Sequence, residues 1–231
     1  MSKKISVVLP CRKGSKRVKN KNIKKFYEYE MGLFELKLKQ LLNVEKIDSI
    51  FVSTDDDKII NFIKKKYPSF KKEIIFEKRP DHLAIDDCLG DLIIHLSQIV
   101  PTDILIWTHV TSPFFTSENY NEAIDIYLNM LETEQYDSLV SVSSVHTFAI
   151  QGGKWISHDT SIKKWPRKQD VEKIMLINGA IYIIDRSLMQ LKKDRIGNNP
   201  YFFELKGLSG FDIDYEEDFC IAEKIAPCLF M

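Results

Sequence analysis

What most constrains the fold of this chain is a rhythm of short β-branched or apolar runs alternating with longer amphipathic stretches. Ile5 to Leu9 reads as a buried first strand, and Phe34, Leu38, Leu41 and Leu42 then recur at helical spacing. "DSIFVSTDD" predicts a second strand ending in polar residues. "DKIINFIKKKY" predicts a helix with Ile59, Ile60 and Ile63 on one side and lysines on the other. "EIIFEKRP" is a third strand, residues 87–99 a helix, "DILIWTHVTSP" a strand running into a turn, and "SENYNEAIDIYLNML" a helix capped by Ser117. "YDSLVSVSSV" is a further strand, "MLINGAIYIIDRSLM" a strand followed by a helix, and "GFDIDYEEDFCIAEKI" a turn and a final helix. Strands separated by helices of about 10–15 residues imply βαβ units and an α/β fold with a parallel sheet. The rhythm lapses between about 145 and 174, where Gly152-Gly153, two tryptophans and Pro166 interrupt it. That stretch is expected to leave the sheet as an arm or lid inserted in a single domain spanning 1–231.

In such a sheet ligands sit at the carboxyl ends of the strands. The first of these ends is "LPCRKGSKRVKNKN", and eight of the fourteen residues from Arg12 to Lys25 are basic. Gly14 lets backbone amides line a concavity, and Lys or Arg supply charge to phosphate oxygens. The loop matches neither GxxxxGK[ST] nor GxGxxG. A phosphate-binding loop, a solvated basic loop and a nucleic-acid patch all remain readings of it. Lys plus Arg and Asp plus Glu are both 33, so the formal net charge is zero, and no aromatic residue interleaves the cations. Both facts count against nucleic acid.

A second end, Asp212-Ile213-Asp214, puts two carboxylates on one face of an extended segment. Such a pair suits Mg²⁺ shared with substrate phosphates; equally, Asp214 could cap the final helix. Cys11, Cys88, Cys220 and Cys228 show no metal-ligand spacing, so buried reduced thiols are expected rather than a disulfide framework or zinc site. Lys3 and Lys4 precede only a short apolar run, and no stretch approaches the roughly 18 apolar residues of a membrane span. A cytoplasmic protein is expected, without nucleic-acid or membrane partners.

Taken in order, these motifs resemble the cytidylyltransferases that make CMP-activated sialic acids and related nonulosonic acids. "LPCRKGSKRVKNKN" is similar to that family's P-A-R-x-G-S-K-x-x-x-x-K-N loop, "VSTDD" to V-S-T-D, and "RPDHLAIDD" to R-P-x-x-L-A-x-D. "HVTSPF" resembles Q-P-T-S-P-L, "NGAIYI" is identical to the family form, and "DIDYEED" resembles D-I-D-T-x-x-D. The resemblance implies a Rossmann-like nucleotidyltransferase fold with a mostly parallel sheet, and a homodimer in which the arm borders the partner's sugar site. It also implies that an α-keto acid sugar attacks the α-phosphorus of CTP, giving a CMP-sugar and pyrophosphate with Mg²⁺. By position, Arg12, Ser15 and Lys21, with Lys16 and Asn22 close by, match the phosphate contacts, and Arg79 matches the cytosine contact. Asp212 and Asp214 match the metal pair, and these two with Arg12 and Lys21 are the expected catalytic set. Asn178, Tyr182, Phe202 and Phe203 match the sugar pocket, Arg167 and Gln169 match polar residues of the arm, and His109, Thr111 and Ser112 form the turn expected to contact substrate. Lys13, Arg17, Lys24 and Lys25 are expected to be solvated neighbours.

The chain departs from the family pattern at three places. His109 stands where Gln is usual, Asp86-Asp87-Cys88-Leu89 replaces D-T-A-S, and no Lys occupies the start of the arm. These departures bear on the sugar more than on the nucleotide. An eight-carbon ulosonic acid as acceptor, or a catalytically silent CTP-binding paralogue, are the alternatives.

Overall fold

The computed structural model describes residues 3–68, 72–133 and 135–230. The first strand, β1 (Ile5–Cys11), is buried along its length, and α1 (Gly32–Leu42) follows the basic loop. Gly32 has φ +58°, and a Cβ there would lie 2.1 Å from the Lys24 carbonyl oxygen, so the loop closes onto α1 only with glycine at this position. Next come β2 (Ser49–Thr54), α2 (Asp57–Lys66), β3 (Glu73–Lys78), α3 (Leu89–Ile99), β4 (Ile104–Thr108) and α4 (Ser117–Thr133). Ile59, Ile60 and Ile63 are the buried residues of α2, and Asp56 caps it by accepting from the Lys58 N–H. α4 begins one residue earlier than the Ser117 cap implied. Ser117 is already helical, and Thr116 takes the preceding position, its N–H held by the Asn119 side chain at 3.0 Å.

After α4 run β5 (Ser138–Val145), the two short arm strands β6 (Ile150–Gln151) and β7 (Lys154–Trp155), then β8 (Ile174–Asp185), α5 (Arg186–Lys192), β9 (Pro200–Glu204) and α6 (Glu216–Leu229). The seven-stranded sheet has the order β3-β2-β1-β4-β8-β5-β9. The β1–β2, β2–β3, β1–β4 and β5–β9 pairs are parallel, as the βαβ rhythm implies. β8 is antiparallel to both β4 and β5. It follows the arm rather than a crossover helix, and a chain returning without a crossover pairs antiparallel. The arm has its own aromatic nucleus, in which Phe148 meets Trp155, His158 and Trp165 at 5.4–6.2 Å.

Cross-strand pairing aligns Val8, Trp107, Tyr182, Val140 and Phe202 in one row. Side chains of paired residues share a face, so this row faces α3 and α5, whose residues Leu92, Ile93, Leu96 and Met189 pack in the same cluster. The opposite face carries the larger core of α1, α4 and α6. Phe202 and Phe203, treated as a pair in the sequence, are separated by this alternation. Phe203 is buried in the larger core and Phe202 is exposed at the sheet edge. Cys11 and Cys88 are buried as expected, but Cys220 and Cys228 are exposed on α6, because they fall off the face that buries Phe219, Ala222 and Ala226. All four are free thiols.

Candidate active site

The order of the parallel strands reverses between β1 and β4, which makes their carboxyl ends the topological switch point where open α/β sheets bind ligands. A cavity of about 390 Å³ lies there, lined by Arg12, Ser15, Lys16, Lys21 and Asn22 from the basic loop and by His109 and Thr111 beyond β4. Arg17, Val18, Val110 and Asp86 also line it.

The loop folds around its own polar groups. The Ser15 hydroxyl donates to the Val18 carbonyl at 2.7 Å and accepts the Lys21 N–H at 2.8 Å, while buried Val18 anchors the turn. Asn22 Nδ2 donates to the Arg12 carbonyl at 2.9 Å. Ser15 and Asn22 therefore shape the loop as well as lining the cavity. Lys21 reaches across to the Ile213 carbonyl at 2.6 Å, between the two aspartates. Burial lowers the pKa of its ammonium, against the pull of Asp212 and Asp214. Asp86 bridges Arg12 and Lys16, 2.6 Å from each, and Lys16 and Arg12 hold its carboxyl below its ordinary pKa.

The aspartate segment is fixed from the other side. The Ile213 N–H donates to the Thr111 carbonyl at 2.9 Å, which sets Thr111 against Asp212. Burial, and the Asp214 charge, raise the Asp212 carboxyl pKa, while the neighbouring Thr111 hydroxyl and Lys21 oppose the rise. Asp214 does not cap α6. Tyr215 occupies the cap position, and the Asp218 carboxylate accepts the Asp214 and Tyr215 N–H groups at 3.0 and 2.8 Å. Asp214 instead pairs with Arg17 at 2.9 Å. Arg17, expected to be a solvated neighbour, thus joins the cavity wall. Lys24 pairs with Glu216 and lies over Phe219, and Lys25 pairs with Glu30.

The turn bearing Thr111 and Ser112 rests on α1. Lys37, fully buried, donates to the Ser112 and Phe115 carbonyls at 2.9 Å each, and Gln40 donates to the Pro113 carbonyl at 2.7 Å. Ser112 is itself buried away from the cavity lining. His109 is held in one tautomer. The Gly179 carbonyl, 2.8 Å from Nδ1, can only accept, so Nδ1 carries the hydrogen. Nε2 accepts from the Trp107 indole N–H at 3.0 Å. Burial and the neighbouring Arg195 push the His109 pKa down to about 4, which keeps it neutral.

Asp212 and Asp214 adjoin the cavity through Lys21 and Arg17 without lining it, and the remaining predicted residues also lie outside the lining. Arg79 is buried beneath the end of β2, with Nε and Nη2 on the Ser53 hydroxyl and carbonyl at 3.2 and 2.8 Å. Asn178 binds the Ser141 and Ser143 hydroxyls at 2.6 and 3.0 Å and holds the irregular register of β5 and β8. Tyr182 is buried in the aromatic row. Arg167 and Gln169 are exposed on the arm, where Arg167 forks onto Asp170. Lys37 and Arg195 carry no motif. The signal for Lys37 was its place among Phe34, Leu38 and Leu41 on the apolar side of α1.

A basic loop at a switch point beside a carboxylate pair is the arrangement of a nucleotidyl-transfer class of site. The family model described as Cytidylyltransferase matches residues 6–225, and the chain belongs to that family. Its relatives include post-translational flagellin modification protein B of Campylobacter coli, 27% identical over 92% of this chain and 91% of that one. CMP-N,N'-diacetyllegionaminic acid synthase of Campylobacter jejuni is also 27% identical, with the same coverage. N-acylneuraminate cytidylyltransferase of Escherichia coli is 26% identical over 96% of this chain, which spans 52% of that protein. Among solved structures, CMP:2-keto-3-deoxy-manno-octonic acid synthetase complexed with CTP aligns with TM-score 0.67 at 16% identity, covering 97% of this chain and 99% of that one. The 4-diphosphocytidyl-2C-methyl-D-erythritol synthase of Anaerococcus prevotii aligns with the same TM-score at 15% identity, over 97% and 96%. At such identities the two structures establish the shared fold.

Proposed function

We propose that this cytidylyltransferase transfers CMP from CTP to the anomeric hydroxyl of a nonulosonic, sialic-acid-like α-keto acid, releasing pyrophosphate. The observation that carries the reading is the cavity itself, with the basic loop on one wall and the Thr111–Asp212–Asp214 unit beside it. The names of the relatives at 26–27% identity support the choice of acceptor class. In this reading Arg12, Lys16 and Lys21 hold the triphosphate, and Ser15 and Asn22 keep the loop shaped for it. Arg12 and Lys16 leave Asp86 for phosphate oxygens, which offer each cation an equivalent charge-assisted bond.

The donor set fits Mg²⁺. Asp212 and Asp214 are close enough that each charge opposes the other, and a dication between them relieves that repulsion. Among the described residues no group of three or more His, Cys, Asp or Glu side chains could hold a metal. Two carboxylates completed by phosphates and water is the arrangement Mg²⁺ favours. Bound there, the ion would neutralise charge on the phosphates and on the leaving pyrophosphate. His109 is not the base for the attacking hydroxyl, since a carbonyl and an indole N–H engage its two nitrogens.

The exposed apolar residues Ile150, Ile156, Ile162 and Trp165 of the arm, with Met175, Leu176 and Ile177 at the start of β8, support a homodimer made through the arm. No helix among the described residues is long and apolar enough to cross a membrane, and we place the reaction in the cytoplasm. The test is pyrophosphate release from CTP and Mg²⁺ across sialic, legionaminic, pseudaminic, deaminated and eight-carbon ulosonic acids. Turnover with a nine-carbon acid is expected. Turnover only with the eight-carbon acid would move the acceptor, and CTP binding without turnover on any acid would leave a silent paralogue.

A further inference from the structure

An α-keto acid sugar brings a carboxylate into the site, and a carboxylate leaving water needs a cation that is not already neutralised. Most cations near the cavity are engaged. Arg12 and Lys16 share Asp86, Arg17 pairs with Asp214, and Lys21 is bonded between the aspartates. On the arm, Arg167 is forked onto Asp170.

Arg195 differs. It follows α5 and lays its guanidinium over the Tyr182 ring at 4.0 Å and the Trp107 ring at 5.1 Å. Among the described residues, no carboxylate lies within 4.0 Å of it. Its one side-chain hydrogen-bonding neighbour is His109 Nε2, 3.5 Å from Nη1, and the Trp107 indole already occupies that nitrogen. The carboxylate of the adjacent Asp194 acts on it only through space, so this mostly buried guanidinium has five donors and no direct ion pair, an incomplete arrangement. Its link to the cavity is His109, which lines it and lies 3.5 Å from Nη1.

We propose that Arg195, carried over Tyr182 and Trp107 beside His109, is the residue that receives the carboxylate of the acceptor sugar. The assignment rests on the acceptor class proposed above. It fits the neutral His109: burial first, and then the guanidinium 3.5 Å away, disfavour a charged imidazole, and a neutral one leaves Arg195 free to bind an anion. A guanidinium carried on two aromatic rings keeps its N–H groups for an anion, and an arginine fork can bind a carboxylate bidentately.

The experiment uses the full chain, CTP, Mg²⁺ and the best acid of the panel, together with the same sugar bearing a C1 carboxamide. Wild type is expected to prefer the acid over the amide in kcat/KM by roughly 10- to 100-fold, the range of a charge-assisted pair. Arg195→Gln is expected to raise the acid's KM by a similar factor, leave the KM for CTP within about twofold, and lose the discrimination between acid and amide. Arg195→Lys, which keeps charge but not the fork, should discriminate at an intermediate level. Calorimetric CTP binding verifies that each variant is folded. A wild type indifferent to the amide overturns the assignment, as does an Arg195→Gln enzyme that still prefers the acid as strongly as wild type. Failure of wild type on every acid refutes the acceptor class itself, and the assignment falls with it.

Discussion

Lys37→Met tests whether the site is held in place from beneath. Methionine fills nearly the same volume without the amine. The Ser112 and Phe115 carbonyls, each 2.9 Å from Nζ, lose their donor. Leaving a buried carbonyl unpaired costs about 1–3 kcal/mol. Removing a buried amine from the Phe115 and Tyr120 rings returns part of that as relieved desolvation. The net loss expected is about 2–4 kcal/mol in urea unfolding at pH 7. The loss has a pH signature. Burial holds the Lys37 pKa well below 10.5, so between its folded value and 10.5 the unfolded chain binds more protons. Wild-type stability rises with pH through that window and is lost as pH falls through the folded pKa. Lys37→Met lacks this gain, so the gap between the two proteins widens towards alkaline pH. The turn also carries Thr111, whose carbonyl holds the Ile213 N–H between the two aspartates, so kcat should fall at least about tenfold in protein that is still folded. A variant as stable and as active as wild type, or a gap that narrows with rising pH, refutes the reasoning.

Asp212→Ala should abolish pyrophosphate release while leaving the circular dichroism spectrum unchanged, and an active variant would remove the metal role of the pair. Asp86→Ala frees Arg12 and Lys16 and should lower the Kd for CTP a few-fold by calorimetry; weaker binding would mean that Asp86 organises the loop rather than competing with phosphate. His109 has a folded pKa of about 4 against an ordinary 6.5, so it contributes stability that is complete above pH 6.5 and is lost as pH falls towards 4. A His109→Gln variant should lack that acid-limb slope in denaturant titrations. Ile162→Glu on the arm should shift the sedimenting species from dimer to monomer if the exposed apolar face is the contact.

Some of this was legible in the residues alone because it is local. A β-branched run such as Ile5 to Leu9 buries itself wherever it lies, and the Ile59, Ile60, Ile63 spacing makes a one-sided helix under any topology. The basic loop was equally legible, since the Ser15 hydroxyl, the Lys21 N–H and the Asn22 side chain bond within the loop itself. Pairing across the chain was not. Asp86 meets Arg12 from 74 residues away, and Lys21 meets Ile213 from 192. The reversal of β8 and the separation of Phe202 from Phe203 depend on how the arm returns to the sheet.

Periodicity and turn chemistry are short-range, so the sequence by itself determined the elements, the internal turn of the basic loop and the spacing of Asp212 and Asp214. Partnership between charges is set by distance in space. Only the tertiary structure could therefore separate the engaged cations from Arg195, and show a lysine buried under the turn that carries the site.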